Sequence, residues 1–380
     1  MKQYKGYKFR IYPTTEQENF FAKSFGCVRK IYNLLLEDKM NLYESKQTNK
    51  RNKPQHYFIE YPYLTEVDQT ALLYAQRHLD KTFKKFTQKM SPGVPRFKSK
   101  SNPVQSYTTN NRNNEIKLVN QKYIKLPSID SLIRIKLSRQ PKGTLLSATV
   151  SKRSSGKYFI SLLSHEEIQP LPKTHSAIGI DLGITDFAIL SDGKKIDNNK
   201  FTYKMEQKLK REQRKLSRRR MLAKERGVYL YEAKNYQKQK RKVARLYEKV
   251  MNQRNDFLNK FSTYLIKNHD IICIEDLDTK DMMRNHKLAK SISDVSWSSF
   301  VEKLEYKARW TGRELIKVNR WFPSSQICSK CGYKDTKKHL DVRAWTCAVC
   351  HAHHDRDVNA SINILKEGLR QRRFAETYKE

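Results

Sequence analysis

Two Cys-x-x-Cys pairs, Cys328/Cys331 and Cys347/Cys350, stand fifteen residues apart late in a chain of 380 residues. Each pair can turn tightly enough to put two thiolates on one ion, and two such turns close a tetrahedral four-cysteine zinc site. The roughly thirty residues of 321–350 cannot build a core of their own, so the metal would supply the local stability. A redox role is the weaker alternative, because such motifs seldom serve it outside a thioredoxin-like strand–helix context. A closed shell of four thiolates leaves no position for substrate, so this zinc is expected to be structural. His351, His353 and His354 stand close by, but four thiolates already satisfy the ion. Cys27 and Cys273 lie alone in apolar surroundings and read as small buried residues.

The rest of the chain is strongly basic: 77 Lys+Arg against 39 Asp+Glu give a net charge of +38. Such a charge suits a polyanionic partner, and the basic residues are interleaved with 21 Tyr and 16 Phe that could stack on bases. Ribosomal-type packing or a merely solvated surface is the blander reading. No apolar run approaches the ~20 residues that span a bilayer. The N-terminal Met-Lys-Gln-Tyr-Lys-Gly-Tyr lacks a signal-peptide apolar region, so a cytoplasmic location and no membrane partner are expected.

Along the chain, Tyr7, Phe9 and Ile11 alternate with Lys8 and Arg10, which predicts a half-buried strand over 5–12. Thr15 and Glu18 stand in capping-box register for a helix that buries Phe21, Phe25, Val28, Tyr32 and Leu35. A polar break over Ser45–Gln55 precedes a second helix expected over 65–90, with Leu72, Ala75, Leu79, Phe83 and Phe86 on one face. Residues 91–100 read as a basic loop. Strands are expected at 116–118, 123–126, 133–137, 145–150 and 158–163, the last two joined by a hairpin through 151–157. Together with 5–12 they could form a small barrel into which the helices are inserted.

Ala177–Leu182 is an apolar strand carrying one acid, Asp181, followed by Gly183, a second strand at 186–190 and the turn Ser191-Asp192-Gly193. This order opens RNase H-like folds, and an acid in a buried strand is costly unless paired or metal-bound. A carboxylate capping a nearby turn is the bland alternative. Residues 203–269 read as a long basic helical region, with Val243, Leu246, Val250, Phe257, Phe261 and Leu265 on its apolar side. Phosphate contact is favoured there over a bare coiled-coil arm. A second apolar strand, 271–274, ends in Glu275, and a helix with Trp297, Phe300, Leu304 and Ala308 on one face follows. Asp357 opens a last helix over Asn359–Lys366. Two acids at strand ends and one at a helix start can converge on one cleft, where they would need divalent metal to stay ionised.

Gly179-Ile180-Asp181-Leu182-Gly183, Ile274-Glu275-Asp276-Leu277, the four-cysteine ribbon and Asp355-Arg356-Asp357-Val358-Asn359-Ala360 occur in that order. With Tyr7–Pro13, Phe25-Gly26-Cys27, Pro95–Lys98, Ser291–Asp294 with Trp297, and Phe322–Gln326, they resemble the TnpB family, transposon-encoded RNA-guided DNA nucleases related to type V CRISPR effectors. The resemblance runs over essentially the whole chain. It implies a multidomain α/β protein with β-barrel and helical parts: a wedge barrel over 1–13 and 103–170, and a helical recognition module over 14–102. A RuvC-like nuclease domain over 171–320 and 351–372 is interrupted by the ribbon at 321–350, and 373–380 is a tail. Asp181, Glu275 and Asp357 would be the catalytic acids and would hold Mg2+, Asp357 rather than Asp355 because it lies two residues before Asn359. Cys328, Cys331, Cys347 and Cys350 would hold Zn2+. A guide RNA from the transposon end, duplex target DNA with a flanking motif, and a monomer in the RNA complex are also implied. A nuclease-dead RNA-guided repressor and a strand-transferring transposase are the alternatives. His351 departs from the pattern, standing where many relatives have the Gly that a positive φ after the knuckle favours.

Overall fold

The computed structural model describes residues 2–45, 52–90, 93–102, 104–336, 338–339 and 341–377. Most of the polar break (46–51), Ser91 and Pro92 of the basic loop, and the last three residues of the tail lie outside the described residues. The chain forms two compact units, Lys2–Glu167 with Lys240–Ala244, and Ile168–Gln239 with Arg245–Glu380.

In the first unit, strand β1 (Lys2–Tyr12) leads into helix α1 (Thr15–Glu44), and helix α2 (Gln69–Thr87) follows. Strands β2 (Val104–Asn110), β3 (Lys117–Val119), β4 (Tyr123–Lys125), β5 (Ile133–Lys136), β6 (Thr144–Arg153) and β7 (Tyr158–Glu167) complete it. All seven strands form one antiparallel sheet in the order β2-β6-β7-β1-β5-β4-β3. Its end strands β2 and β3 do not pair with each other among the described residues. Tyr7, Phe9 and Ile11 of β1 are buried with Ile133, Val150 and Ile160, and the inner faces of α1 and α2 join the same core. The helix starts differ from expectation. Thr14, not Thr15, caps α1, exchanging hydrogen bonds with Gln17. Asp68 caps α2 by accepting from the Thr70 N–H, so that helix begins at 69, after a 3-10 turn over Pro62–Glu66.

The second unit contains β8 (Ala177–Leu182), β9 (Asp186–Leu190), β10 (Lys195–Asp197), α3 (Phe201–Glu225), α4 (Lys234–Asn268) and β11 (Ile271–Glu275). There follow α5 (Thr279–Met282), α6 (His286–Val295), α7 (Trp297–Thr311), β12 (Glu314–Val318), β13 (Ala344–Thr346), β14 (His353–Asp355) and α8 (Arg356–Thr377). The expected single helical region over 203–269 is thus two helices, separated near Gly227 at φ +64°. Asp294 ties this part together: it accepts from the Thr202 N–H and hydroxyl at the start of α3 and pairs with Arg254 of α4.

The five-stranded sheet runs β10-β9-β8-β11-β12, with β8, β11 and β12 parallel. Side chains alternate across it, as a strand requires. Ile178, Ile180, Ile272 and Ile274 enter a core with Leu258, Phe261, Trp297 and Phe300 of α4 and α7. Cys273, between two of those isoleucines, packs instead with Val318 and with Ile364 of α8. Gly179, Asp181 and Glu275 share that second face by the same alternation. A Cβ on Gly179 would fall onto the Ser361 carbonyl oxygen and within 2.8 Å of the Leu365 backbone nitrogen, so glycine lets α8 lie directly on β8. Gly179→Val should therefore force the helix off the strand and cost ~3 kcal/mol or more. Thermal unfolding checks this, and an unchanged melting temperature would contradict the close packing.

Candidate metal centres

The four cysteines meet. Their sulfur atoms all lie within 4.8 Å of one another, with Cys328–Cys350 and Cys331–Cys347 each at 3.6 Å. A tetrahedral ion with Zn–S bonds of ~2.3 Å needs sulfur separations of ~3.75 Å, so the donor set fits zinc. Each knuckle closes through its own backbone. In the first, the Gly332 N–H donates to the Cys328 carbonyl, with Gly332 at φ +80°. In the second, the His351 N–H donates to the Cys347 carbonyl, and His351 occupies the left-handed region at φ +54°. The position where the sequence departs from glycine is thus one that favours glycine. The Cys347 thiol is lowered to about 7, first of all by the Cys350 backbone N–H, which favours its thiolate. His354 does more than stand nearby: its Nε2 lies 3.0 Å from the Cys328 sulfur, and its ring rests against Trp345 at 4.9 Å.

The acids are brought to one sheet end. Ile180 of β8 is in register with Ile274 of β11, so Asp181 and Glu275 follow as neighbours where these parallel strands end. Asp357 lies in the first turn of α8, the helix that covers this face, and its carboxylate is 3.5 Å from the Arg343 guanidinium. Burial pushes the Asp181 carboxyl up to about 8, reinforced by the negative charges of Glu275 and Asp357 and opposed by Arg356. Burial also raises Glu275, while the Ser324 hydroxyl, donating at 2.9 Å, favours its ionised form. Among the described residues the cysteines alone form a group of ligand atoms within 4.8 Å; the three acids interact through charge without reaching that proximity. Carboxylates crowded in this way suit a hard divalent cation, which would replace the proton that Asp181 otherwise retains.

A pH dependence follows. A carboxyl raised from its unfolded value near ~3.9 to about 8 costs metal-free stability progressively as pH climbs through that window. Asn cannot ionise and escapes the loss. In EDTA, Asp181→Asn should therefore stabilise the protein by ~1–3 kcal/mol more at pH 9 than at pH 5. Melting curves of both proteins at the two pH values test this, and an equal difference at both would contradict it.

Asp355 has another duty. Its Oδ1 accepts from the Asp357 and Val358 N–H groups at 3.0 Å each, capping α8, and its Oδ2 pairs with Lys195 at 2.6 Å. Sequence reasoning missed the residues that lock α8 to the ribbon. Asn359 accepts from the Ser329 N–H and donates to the Ile327 carbonyl, both at 2.8 Å. Asn363 donates to the carbonyls of Ser324 and Ile327 at 2.8 and 2.6 Å, and Lys366 reaches the Ser329 carbonyl. Two asparagines at i and i+4 among the apolar residues Val358, Ala360, Ile362 and Ile364 are the available signal; both are buried. Ser324 thereby touches Glu275 with its hydroxyl and α8 with its carbonyl.

Three family models match. One described as "Probable transposase" covers residues 160–286, and one described as "Cas12f1-like, TNB domain" covers 297–364. A third, a helix-turn-helix domain, covers 1–48, where the described residues instead form β1 and the one uninterrupted helix α1. A Streptomyces pristinaespiralis protein named "Putative RNA-guided DNA endonuclease" is 38% identical over 97% of this chain and 90% of its own length. The Escherichia coli (strain K12) protein InsQ, given the same description, is 29% identical over 97% of this chain and 93% of its own. Among solved structures, Cas12f1 in its sgRNA–target DNA complex shares the fold at TM-score 0.54 and 16% identity, covering 96% of this chain and 98% of that one. With a relative that similar along nearly its whole length, and with its motifs in the family's order, the chain belongs to the TnpB family.

Proposed function

We propose that this protein is an RNA-guided DNA endonuclease whose cutting centre is the acid group Asp181, Glu275 and Asp357 in a RuvC-like domain. The carrying observation is the parallel register of β8 and β11. It sets Asp181 beside Glu275 on the face that α8 covers, and there burial, reinforced by the charges of both other acids, raises Asp181. When bound, Mg2+ would activate the attacking water and stabilise the leaving oxygen of the phosphodiester. The chain's own residues do the positioning. Ser324 orients Glu275, Asp355 caps the helix that carries Asp357, and Gly179 lets that helix approach β8.

The four-cysteine group holds a structural zinc, and the curled seven-stranded sheet with α1 and α2 serves as wedge and recognition module. Exposed Arg211, Arg214, Lys215 and Arg218 on α3, spaced i, i+3, i+4 and i+7, offer a phosphate-binding row. The guide derives from the transposon end, the target is duplex DNA with a flanking motif, the RNA complex is monomeric, and it works in the cytoplasm. Incubating the purified RNA complex with a guide-matched duplex and Mg2+ should yield cut ends. Intact duplex would overturn the reading, and joined products would replace it with strand transfer.

A further inference from the structure

Trp321 is 83% exposed, whereas Trp297 and Trp345 are 2% and 7% exposed and Trp310 is half-buried. An indole left in water forgoes about 2 kcal/mol or more of burial, so its position calls for a reason. The loop that carries it is held by hydrogen bonds and packing. It follows β12, whose last residue, Val318, is in register with Glu275. The Trp321 N–H donates to the Asn319 side chain at 2.9 Å, and the Phe322 N–H to the Asn319 carbonyl at 2.9 Å. Just before Trp321 in the chain, Arg320 pairs with Asp278 at 3.2 Å; just after it, Phe322 packs with Val318, Cys273 and Ile364. Two residues beyond Phe322, Ser324 holds Glu275. The turn is thus pinned on both sides while its aromatic ring is presented to solvent at the sheet end that gathers the acids.

We infer that Trp321 is a base-stacking subsite for the DNA strand at the acidic centre, seating a nucleobase next to the phosphate to be cut. The inference rests on the cutting site proposed above. A flat ring on a braced turn, on a chain of net charge +38, has the chemistry of a single-strand stacking platform: sequence-tolerant aromatic contact backed by cations. A protein partner would want an apolar neighbourhood, but the flanking Arg320 is charged and Phe322 is turned inward.

The test uses the RNA-loaded protein in an Asp357→Ala background, so binding is read without cutting, and a single-stranded oligothymidylate of ~20 nucleotides. Acrylamide should quench tryptophan emission before the oligonucleotide is added and much less after. Trp321→Leu should remove the quenchable fraction, weaken binding of the oligonucleotide ~5- to 150-fold, and leave the melting temperature unchanged. Trp321→Phe, keeping a stacking face, should recover most of the affinity. Emission still fully quenchable with DNA bound, affinity unchanged in Trp321→Leu, or protection by the RNA alone would each overturn the assignment. Because these are binding readouts, they stand apart from the outcome of the cleavage assay.

Discussion

Asp357→Ala should reduce DNA cutting by at least ~10^3-fold while leaving binding of RNA and target within a few-fold of the parent. The expectation comes from what surrounds the side chain. Asp357 raises the Asp181 carboxyl, it pairs with Arg343 at 3.5 Å, and it sits in the first turn of a helix held to both sheet and ribbon. Losing it removes an anionic donor from the cleft without disturbing a hydrogen bond that the helix needs. Asp355→Ala is the informative comparison. That carboxylate caps α8 and pairs with Lys195, so its loss should cost ~1 kcal/mol of stability and cutting only as far as the helix start loosens. Gel-based cleavage rates beside a filter-binding or mobility-shift titration separate the two. If Asp357→Ala cuts at the parental rate and Asp355→Ala does not, the third acid has been assigned to the wrong residue.

The two acids at strand ends are legible in the sequence as a chemical problem. An apolar strand ending in a carboxylate has to place that charge somewhere, and the raised Asp181 is the consequence. That Asp181, Glu275 and Asp357 should share one site is not legible from spacing, because nothing along the chain gives the register of β8 against β11. Their places at strand ends and a helix start allow them to converge, and the family resemblance joins them. Strands that are apolar throughout or alternate sharply are easy to read, and weakly apolar ones are not. β2 stays hidden because its sequence, Val-Gln-Ser-Tyr-Thr-Thr-Asn, buries only Tyr107 and Thr109. β12 stays hidden because only Val318 is fully buried, and its role is to extend a parallel sheet rather than to line a core of its own.

Helix bodies are legible and their starts are not, for a local reason. Thr14/Gln17 and Thr15/Glu18 have the same capping spacing, and the sequence alone does not rank them. The choice falls to Thr14, whose partner Gln17 also hydrogen-bonds Ser131 and the Leu132 carbonyl, far along the chain. Breaks set by positive φ are similarly hidden. Ser296 at φ +56° divides α6 from α7 although no glycine or proline marks the spot.

Cys347→Ser should abolish zinc retention and, with it, most cutting, although no thiolate belongs to the acid group. The ribbon's own apolar cluster is small: Cys328, Trp345 and Cys347 are buried, with Val342 and Cys350 against them. Such a cluster cannot hold two knuckles closed, whereas structural zinc in small domains contributes on the order of 10 kcal/mol. Without the metal, Ile327 and Ser329 lose the fixed positions from which they bond Asn359, Asn363 and Lys366. The Ser324 carbonyl that accepts from Asn363 belongs to the residue whose hydroxyl orients Glu275, so loosening reaches two of the three acids. Metal analysis should give one zinc per parent chain and none per variant. Hydrogen exchange should speed up over 324–331 and in the first turns of α8, and the cutting rate should fall by ~10^2-fold or more. Asn359→Ala combined with Asn363→Ala separates latch from metal: zinc should stay at one equivalent while exchange at the α8 start quickens and cutting drops. Full cutting by a zinc-free Cys347→Ser protein would mean that the ribbon does not hold α8 in place, and that the helix keeps Asp357 at the sheet end through its packing on Gly179 alone.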